Sequence, residues 1–290
     1  MGITETFTRS WEITKESFKV IKADKEILMF PVLASIFSVI FFVIMALPLV
    51  VTSIMQNLGL DKLGALAYYI LIFLFYMGTA FIATFFNVAV VYCAKKRFEG
   101  GDPTFKEGLS EAFKRIHLIF LWSIVSAVVG LILNMIENAA QKSKNSITRI
   151  ILSITTSILG AAWGIVSIFV VPAMVFDNVG PFAALKKSAH AIKKTWGESL
   201  ARHYGLGFVE AAFMVLGIIV LIPGIYLLGI FWPVGLALIA IAVIYMVIIA
   251  LVFSTANAIF NTALYMYAEG KHQKAFSAET MKNAFEKVKN

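Results

Sequence analysis

Charge is scarce in this chain. Asp, Glu, Lys and Arg make up 14% of the 290 residues, against 60% hydrophobic residues, and mean hydropathy is +0.85. An ordinary soluble domain carries about 25% charge and about 45–50% apolar residues, so a soluble globular or disordered chain is excluded. Cysteine is nearly absent. The single Cys93 cannot form an internal disulfide, which removes the disulfide-rich secreted class. Short alternating segments of the kind that build a membrane β-barrel are missing too.

What fills the chain is apolar sequence in long blocks. Uncharged runs cover Ile27–Leu60, Leu63–Ala94, Ile116–Ile136, Ile150–Phe176 and Ala211–Ala268. About 20 apolar residues cross a bilayer, so the first four runs each hold one helix. Their predicted spans are Phe30–Thr52, Leu66–Ala89, Leu118–Ile136 and Ile151–Val175. The last run is long enough for two, and it breaks at Pro223-Gly224 and Trp232-Pro233. This predicts a fifth span near His203–Leu221 and a sixth over Val234–Tyr265. The chain therefore reads as one all-α transmembrane domain of six spans: an N-terminal amphipathic arm over 1–27, a bundle over 28–268 and an amphipathic tail over 269–290.

Basic residues set the orientation. Of 25 Lys and Arg, 21 fall in the N-terminal arm, the loops after the second and fourth spans, and the C-terminal tail. Cytoplasmic segments carry the excess of Lys and Arg, so both termini are expected on the cytoplasmic side of the cell membrane. The same segments have helical periodicity. After Gly180-Pro181, Phe182, Leu185, Ala189, Ile192 and Trp196 form an apolar stripe opposite Lys186, Lys187, His190, Lys193 and Lys194. A second stripe after Asp102-Pro103 holds Phe105, Leu109, Ala112, Phe113 and Ile116. These predict interfacial helices near 103–115 and 181–197. The arm offers Phe7, Trp11, Phe18 and Ile21, and the tail Met281, Phe285 and Val288.

A serine followed five residues later by a base recurs in three of these segments: Ser10 with Lys15, Ser110 with Arg115, and Ser188 with Lys193. Phe86-Asn87-Val88-Ala89 before Glu99-Gly100 matches Phe260-Asn261-Thr262-Ala263 before Glu269-Gly270. The reading is three degenerate copies of an interfacial helix followed by a transmembrane hairpin, with an extra interfacial helix at the end.

The opening Arg9-Ser10-Trp11-Glu12-Ile13-Thr14-Lys15-Glu16-Ser17-Phe18, with Ala23-Asp24-Lys25-Glu26 and Phe30-Pro31, resembles the start of an uncharacterised prokaryotic family of six-span membrane proteins. The segment Val171-Pro172-Ala173-Met174-Val175-Phe176-Asp177-Asn178-Val179-Gly180-Pro181, followed by Ala184-Leu185-Lys186-Lys187-Ser188, is distantly similar to the membrane domain fused to some glycerophosphodiester phosphodiesterases. The resemblance implies a six-span fold and, by analogy, a role connected with lipid; it implies no catalysis, because those enzymes carry their chemistry in a separate soluble domain.

Few residues could carry chemistry. Glu210 lies about 12 Å along a helix from Arg202, at 1.5 Å per residue, and begins a stretch without charge. A carboxyl there is either a proton- or cation-linked site or a lipid-headgroup contact, or a shallow group bonded to Arg202, His203 or a neighbouring helix. Asn87, Asn257 and Asn261 either bond across helices or line a polar path with Glu210. Lys186, Lys187, Lys193 and Lys194 are suited to anionic lipid headgroups. Gly160 and Gly164 form a small-residue pair that packs within the bundle or on a second copy. The four histidines are not spaced as metal ligands, no cofactor is expected, and no P-loop, HExxH or GxSxG is present. Nucleic acid is not an expected partner. The expected function is a non-enzymatic membrane protein that organises lipid or partner proteins, with a homo-oligomer among its expected forms; the alternative is a small transporter or channel around Glu210.

Overall fold

A computed structural model describes residues 3–57, 61–195 and 205–270. Within that description, side chains at 3–10, 12, 13, 53, 55–57, 61–65, 194, 195, 205 and 208 are left aside. The described residues contain helices and no strands. In order they are α1 (Ile3–Ala23), a 3-10 turn (Lys25–Leu28), α2 (Met29–Asn57), α3 (Asp61–Phe98), α4 (Phe105–Lys114) and α5 (Ile116–Lys142), followed by α6 (Ser146–Ser167), α7 (Val170–Asp177), α8 (Pro181–Thr195), α9 (Gly205–Leu228) and α10 (Trp232–Ala268). Six segments are long and apolar enough to cross a membrane: Lys25–Thr52, Leu66–Phe98, Ile116–Lys142, Ser146–Asp177, Val209–Leu228 and Trp232–Ala268. The protein is an all-α polytopic membrane protein.

Two spans depart from expectation. The fourth is interrupted at Ile168-Phe169, between α6 and α7. Pro172 has no N–H and its ring crowds the carbonyl four residues earlier, which is that of Ile168, so the helix is weakened at this point. The fifth continues past Pro223 to Leu228 and turns only at Gly229-Ile230-Phe231, where the Phe231 N–H bonds to the Leu227 carbonyl at 2.7 Å. Proline inside a membrane helix is tolerated where the freed groups are satisfied locally. The predicted start of this span at His203 lies outside the described residues.

The contacts form two compact units. One comprises Met1–Pro31, Cys93–Phe105 and Lys193–Asn290. In it, α9 and α10 form an antiparallel hairpin on which α1 packs. Phe18 of α1 meets Phe253 of α10 edge to face at 5.6 Å, and Phe253 also contacts Phe213 of α9. The hairpin closes over Gly235, where an added Cβ would lie 2.6 Å from the Leu228 nitrogen and 2.8 Å from the Gly224 oxygen. The other unit comprises Val32–Tyr92 and Lys106–Ile192. There α2 lies against α3 through Phe41 and Phe75, α3 meets α5 at Tyr76 and Gly130, and α5 stacks Trp122 on Trp163 of α6 at 5.4 Å.

The internal repeat is visible in how each hairpin ends. The return helix of each terminates at a left-handed residue: Gly100 (φ 89°) after α3, Asn178 (φ 50°) after α7 and Gly270 (φ 70°) after α10. Glycine takes this conformation freely and asparagine is among the few others that do. An acid precedes each one, Glu99, Asp177 and Glu269. Counting back from these ends pairs Asn87 with Asn257, thirteen positions before Gly100 and Gly270. That replaces the sequence-based pairing of Asn87 with Asn261, which is one helical turn out of register.

Each short helix has one small residue that is completely buried: Ser17 in α1, Ala112 in α4 and Ser188 in α8. The residue after it is Phe18, Phe113 or Ala189, and Phe113 meets Phe85 of α3 edge to face at 5.0 Å, as Phe18 meets Phe253. So α4 seats on the hairpin α2–α3, α8 on the second hairpin at α6–α7, and α1 on the third, α9–α10. The serine pattern is corrected by this geometry. Ser110 is exposed and Ser10 lies outside the described side chains; the match to Ser188 and Lys193 is Ser17 and Lys22. Small residues win these positions because they let helix backbones approach.

Gly235→Ala should open the α9–α10 turn, because the colliding atoms are backbone and cannot move aside. We expect a loss of about 1–3 kcal/mol, the usual cost of overpacking. Gly164→Ala, with open space around the added carbon, should be neutral or stabilising. Unfolding midpoints of the two variants in detergent check this.

Candidate functional site

The site is built on α8 and its seat. Pro181 opens the helix at a position where its missing N–H costs nothing. Ala184, Ser188, Ala191 and Ile192 are buried, so the helix packs on the protein through small residues together with Ile192 of the predicted stripe. Ser188 occupies the break in the fourth span. Its Oγ donates to the Val166 carbonyl at 2.5 Å and accepts from the Phe169 N–H at 3.1 Å. The hydroxyl thus satisfies two backbone groups left open at the interruption between α6 and α7, where the Ile165 carbonyl is taken by the Ile168 N–H instead. An unsatisfied buried group costs about 1–3 kcal/mol.

This packing decides what α8 presents outward. Phe182 is 75% exposed. Lys186, His190 and Lys193 are exposed, whereas Lys187 pairs with Asp177 at 2.9 Å beside the left-handed end of α7. Lys187 is therefore engaged by the protein, and the side chain of Lys194 is outside the description. Helix α1 repeats the arrangement. Trp11 and Lys15 stand six and two positions before Ser17, as Phe182 and Lys186 stand before Ser188, and the Lys15 ammonium lies 5.6 Å from the Trp11 ring centre. Such a cation–aromatic contact is worth about 0.5–1 kcal/mol at an exposed site. In α4 Phe113 is 54% exposed, while Gly108 and Ala112 are buried; Ile116, the first residue of α5, is 42% exposed. The apolar stripes read from sequence are thus split, with Ala112 and Ile192 inward and Phe113 and Phe182 outward.

Polar clasps tie the ends of two short helices to return helices, that of α4 to α7 and that of α1 to α3. At the end of α4, Arg115 donates to the carbonyls of Met174 and Val175 at 3.2 Å each and also to Glu111. Burial alone would raise the Glu111 carboxyl, but hydrogen bonds and charge from Arg115 and Lys114 override it and hold the group below its ordinary 4.5. After α1, Asp24 lies 3.5 Å from the Arg97 guanidinium, which also bonds Asp102 at 2.6 Å. Here burial prevails over Arg97 and raises the Asp24 carboxyl above its ordinary 3.8. Glu26 then accepts the N–H of Phe105 at 2.8 Å, and Phe30 stacks on the Phe105 ring at 4.9 Å.

Glu210 is on α9 and Asn257 and Asn261 are on α10 in one unit; Asn87 is on α3 in the other. Gly217 facing Met246 and Gly224 facing Ile239 set a register in which Glu210 is level with Phe253. At about 100° per residue, Glu210 sits about 40° from the line of Leu206, Gly217 and Gly224, on the packed side of α9 rather than its lipid side. Asn87 has a buried Oδ1 without a hydrogen-bond partner. A Cβ added at Gly160 would lie 3.9 Å from Leu133 of α5, while Gly164 faces open space. Among the described residues, no group of three or more His, Cys, Asp and Glu could hold a metal ion. The break at Ile168-Phe169 and the Arg115 clasp escaped the sequence reading; Pro172 inside an apolar run was the available signal for the first.

The sign of the Glu111 shift gives a pH test. A lowered carboxyl stabilises the fold above its ordinary 4.5, and that contribution is lost as pH falls through its folded-state value. We expect the unfolding midpoint of the parent to fall below pH 4.5 with a component that Glu111→Gln lacks, and Arg115→Ala to lower the midpoint at pH 7.

No curated protein matches this chain. A family model, described as a family of unknown function (DUF6159), matches residues 66–275. The match covers the second span through the end of the sixth, with all three left-handed helix ends and the α8 seat. The chain belongs to that family.

Proposed function

We propose that this is a non-enzymatic multi-pass protein of the cell membrane, both termini cytoplasmic, that gathers anionic lipid headgroups around its short helices. The observation that carries the reading is the repeated outward pair of aromatic ring and lysine, Phe182 with Lys186 and Trp11 with Lys15. An amphipathic side chain places its apolar body in the acyl boundary and its charge among headgroups. Each Lys near an anionic surface contributes about 1 kcal/mol. The 21 basic residues on one side of the spans favour the same orientation. Membrane lipid is the partner this reading requires, and assembly into a homo-oligomer is compatible with it.

A second reading has its own observation. Glu210 is turned toward the packed side of its hairpin without a described hydrogen-bond or ion-pair partner, as a carboxyl in a proton- or cation-coupled path would be. If that reading holds, Glu210→Gln abolishes pH-dependent flux in liposomes without loss of folding; unchanged flux removes it.

For the lipid reading, Lys186→Gln with Lys193→Gln is the informative pair, because Lys187 serves Asp177. At about 1 kcal/mol per lysine, retention of phosphatidylglycerol over phosphatidylcholine should fall by about tenfold or more. Native mass spectrometry from mixed-lipid nanodiscs reads retained lipid and stoichiometry together. Equal retention by parent and variant would contradict the proposal.

A further inference from the structure

Helix α1 ends on a carboxyl that its surroundings neutralise only in part. Asp24 follows Ala23, the last residue of α1, and its N–H still bonds the Val20 carbonyl at 3.0 Å. Its side chain is 6% exposed, and its Oδ2 is buried without a hydrogen-bond partner. Val20, Ile21, Ile27 and Phe30, on either side in the chain, are buried as well.

The guanidinium that faces Asp24 is divided between two acids. Arg97 Nη2 lies 2.6 Å from Asp102, whose side chain is 87% exposed, and 3.5 Å from the Asp24 Oδ2. The short bond goes to the acid that water already solvates. The buried acid keeps a contact too long for an ordinary hydrogen bond, while the Arg97 Nε is buried and has no partner either. A buried charge is tolerated when it is both paired and hydrogen-bonded, and the Asp24 Oδ2 has only the pairing. Glu26, two residues on, adds negative charge, and its own carboxylate is taken by the Phe105 N–H.

The charges on the neighbouring elements do not remove this imbalance. Lys22 and Lys25 flank Asp24 in the chain and are exposed, and Lys95 and Lys96 precede Arg97 on α3. Helix α10, which packs on the 3-10 turn, carries no acid or base before the exposed Glu269; its titratable groups are Tyr245, Tyr265 and Tyr267. On α9, which packs on α1, the acid is Glu210. Burial therefore prevails over Arg97 at Asp24 and raises the carboxyl above its ordinary 3.8, with Glu26 adding to the rise.

We propose that Asp24 is a proton-binding site whose occupancy fastens α1: a proton taken from water onto Oδ2 closes the joint at the end of the helix, and its loss loosens α1 from the α9–α10 hairpin. Protonation removes the desolvated charge and leaves Arg97 to Asp102 alone. The carboxyl holds its proton more tightly when α1 is seated and the group is buried than when the joint opens and water reaches it. Seating therefore strengthens as pH falls through the seated-state value, and the gain is complete below the ordinary 3.8. Glu111, at the end of α4, responds in the opposite sense, because its partners hold it low.

Electron–electron distance measurement on the full chain in nanodiscs tests this. In a Cys93→Ala background, nitroxides are placed at Lys19→Cys on α1 and Ala212→Cys on α9, both exposed positions. The share of molecules outside the seated distance should fall about twofold or more as pH is lowered from about 8 to about 5. Asp24→Asn, which mimics the neutral carboxyl, should hold α1 seated at both pH values. Asp102→Asn should move the transition to lower pH, because Arg97 is then free to pair with Asp24. The proposal is overturned if the parent has the same distance distribution at both pH values, or if Asp24→Asn keeps the pH dependence of the parent. A transition that Asp102→Asn leaves in place would overturn the sharing of Arg97 on which it stands.

Discussion

A helix broken inside a bilayer has no water to satisfy the groups it exposes, and the second hairpin depends on a solution to that problem. Pro172 weakens the helix at Ile168-Phe169, and the Ser188 hydroxyl, brought in by a different helix, bonds a group on each side of the break. The interaction fixes where α8 lies and which of its faces is inward. It also leaves Phe182 and Lys186 pointing away from the protein. A local backbone defect thus determines the chemistry offered to the membrane.

The same seat without a defect explains the other two short helices. Ala112 on α3 needs no hydrogen bond because that return helix is continuous, and Phe113 on Phe85 supplies the contact. Ser17 has a hydroxyl with no matching break, and Phe18 on Phe253 carries the seat. The left-handed Gly100, Asn178 and Gly270 give each return helix the same termination, so the connections start from equivalent points. The clasps vary in sign: an acid at the end of α1 meets Arg97, while Arg115 at the end of α4 meets backbone carbonyls. Position is repeated where identity is not, and for that reason the repeat is faint in sequence.

Six spans were legible because length and charge report on the bilayer, which acts on every residue of a span at once. The break in the fourth span was not, although Pro172 stands in plain view, because proline is also tolerated inside a membrane helix, as Pro223 is in α9. Only the partner that arrives from elsewhere decides between the two. The seats of the short helices were not legible for a related reason. Periodicity reports the apolar face as a whole, Phe113 and Phe182 included, whereas close helix contact selects small residues such as Ala112 and Ser188. Glu210 was legible as an anomaly and its side of α9 was not, since that depends on the register with α10. The pairing of Asn87 required Gly100 and Gly270 as rulers.

The central claim is that Ser188 holds the interrupted fourth span and thereby orients α8. Amide hydrogen exchange at Phe169 and Val170 in nanodiscs tests it most directly. The account predicts slow exchange in the parent and faster exchange at these residues in Ser188→Ala, with the amides of α10 unchanged. Equal protection in parent and variant would show that the break is satisfied without Ser188 and would contradict it.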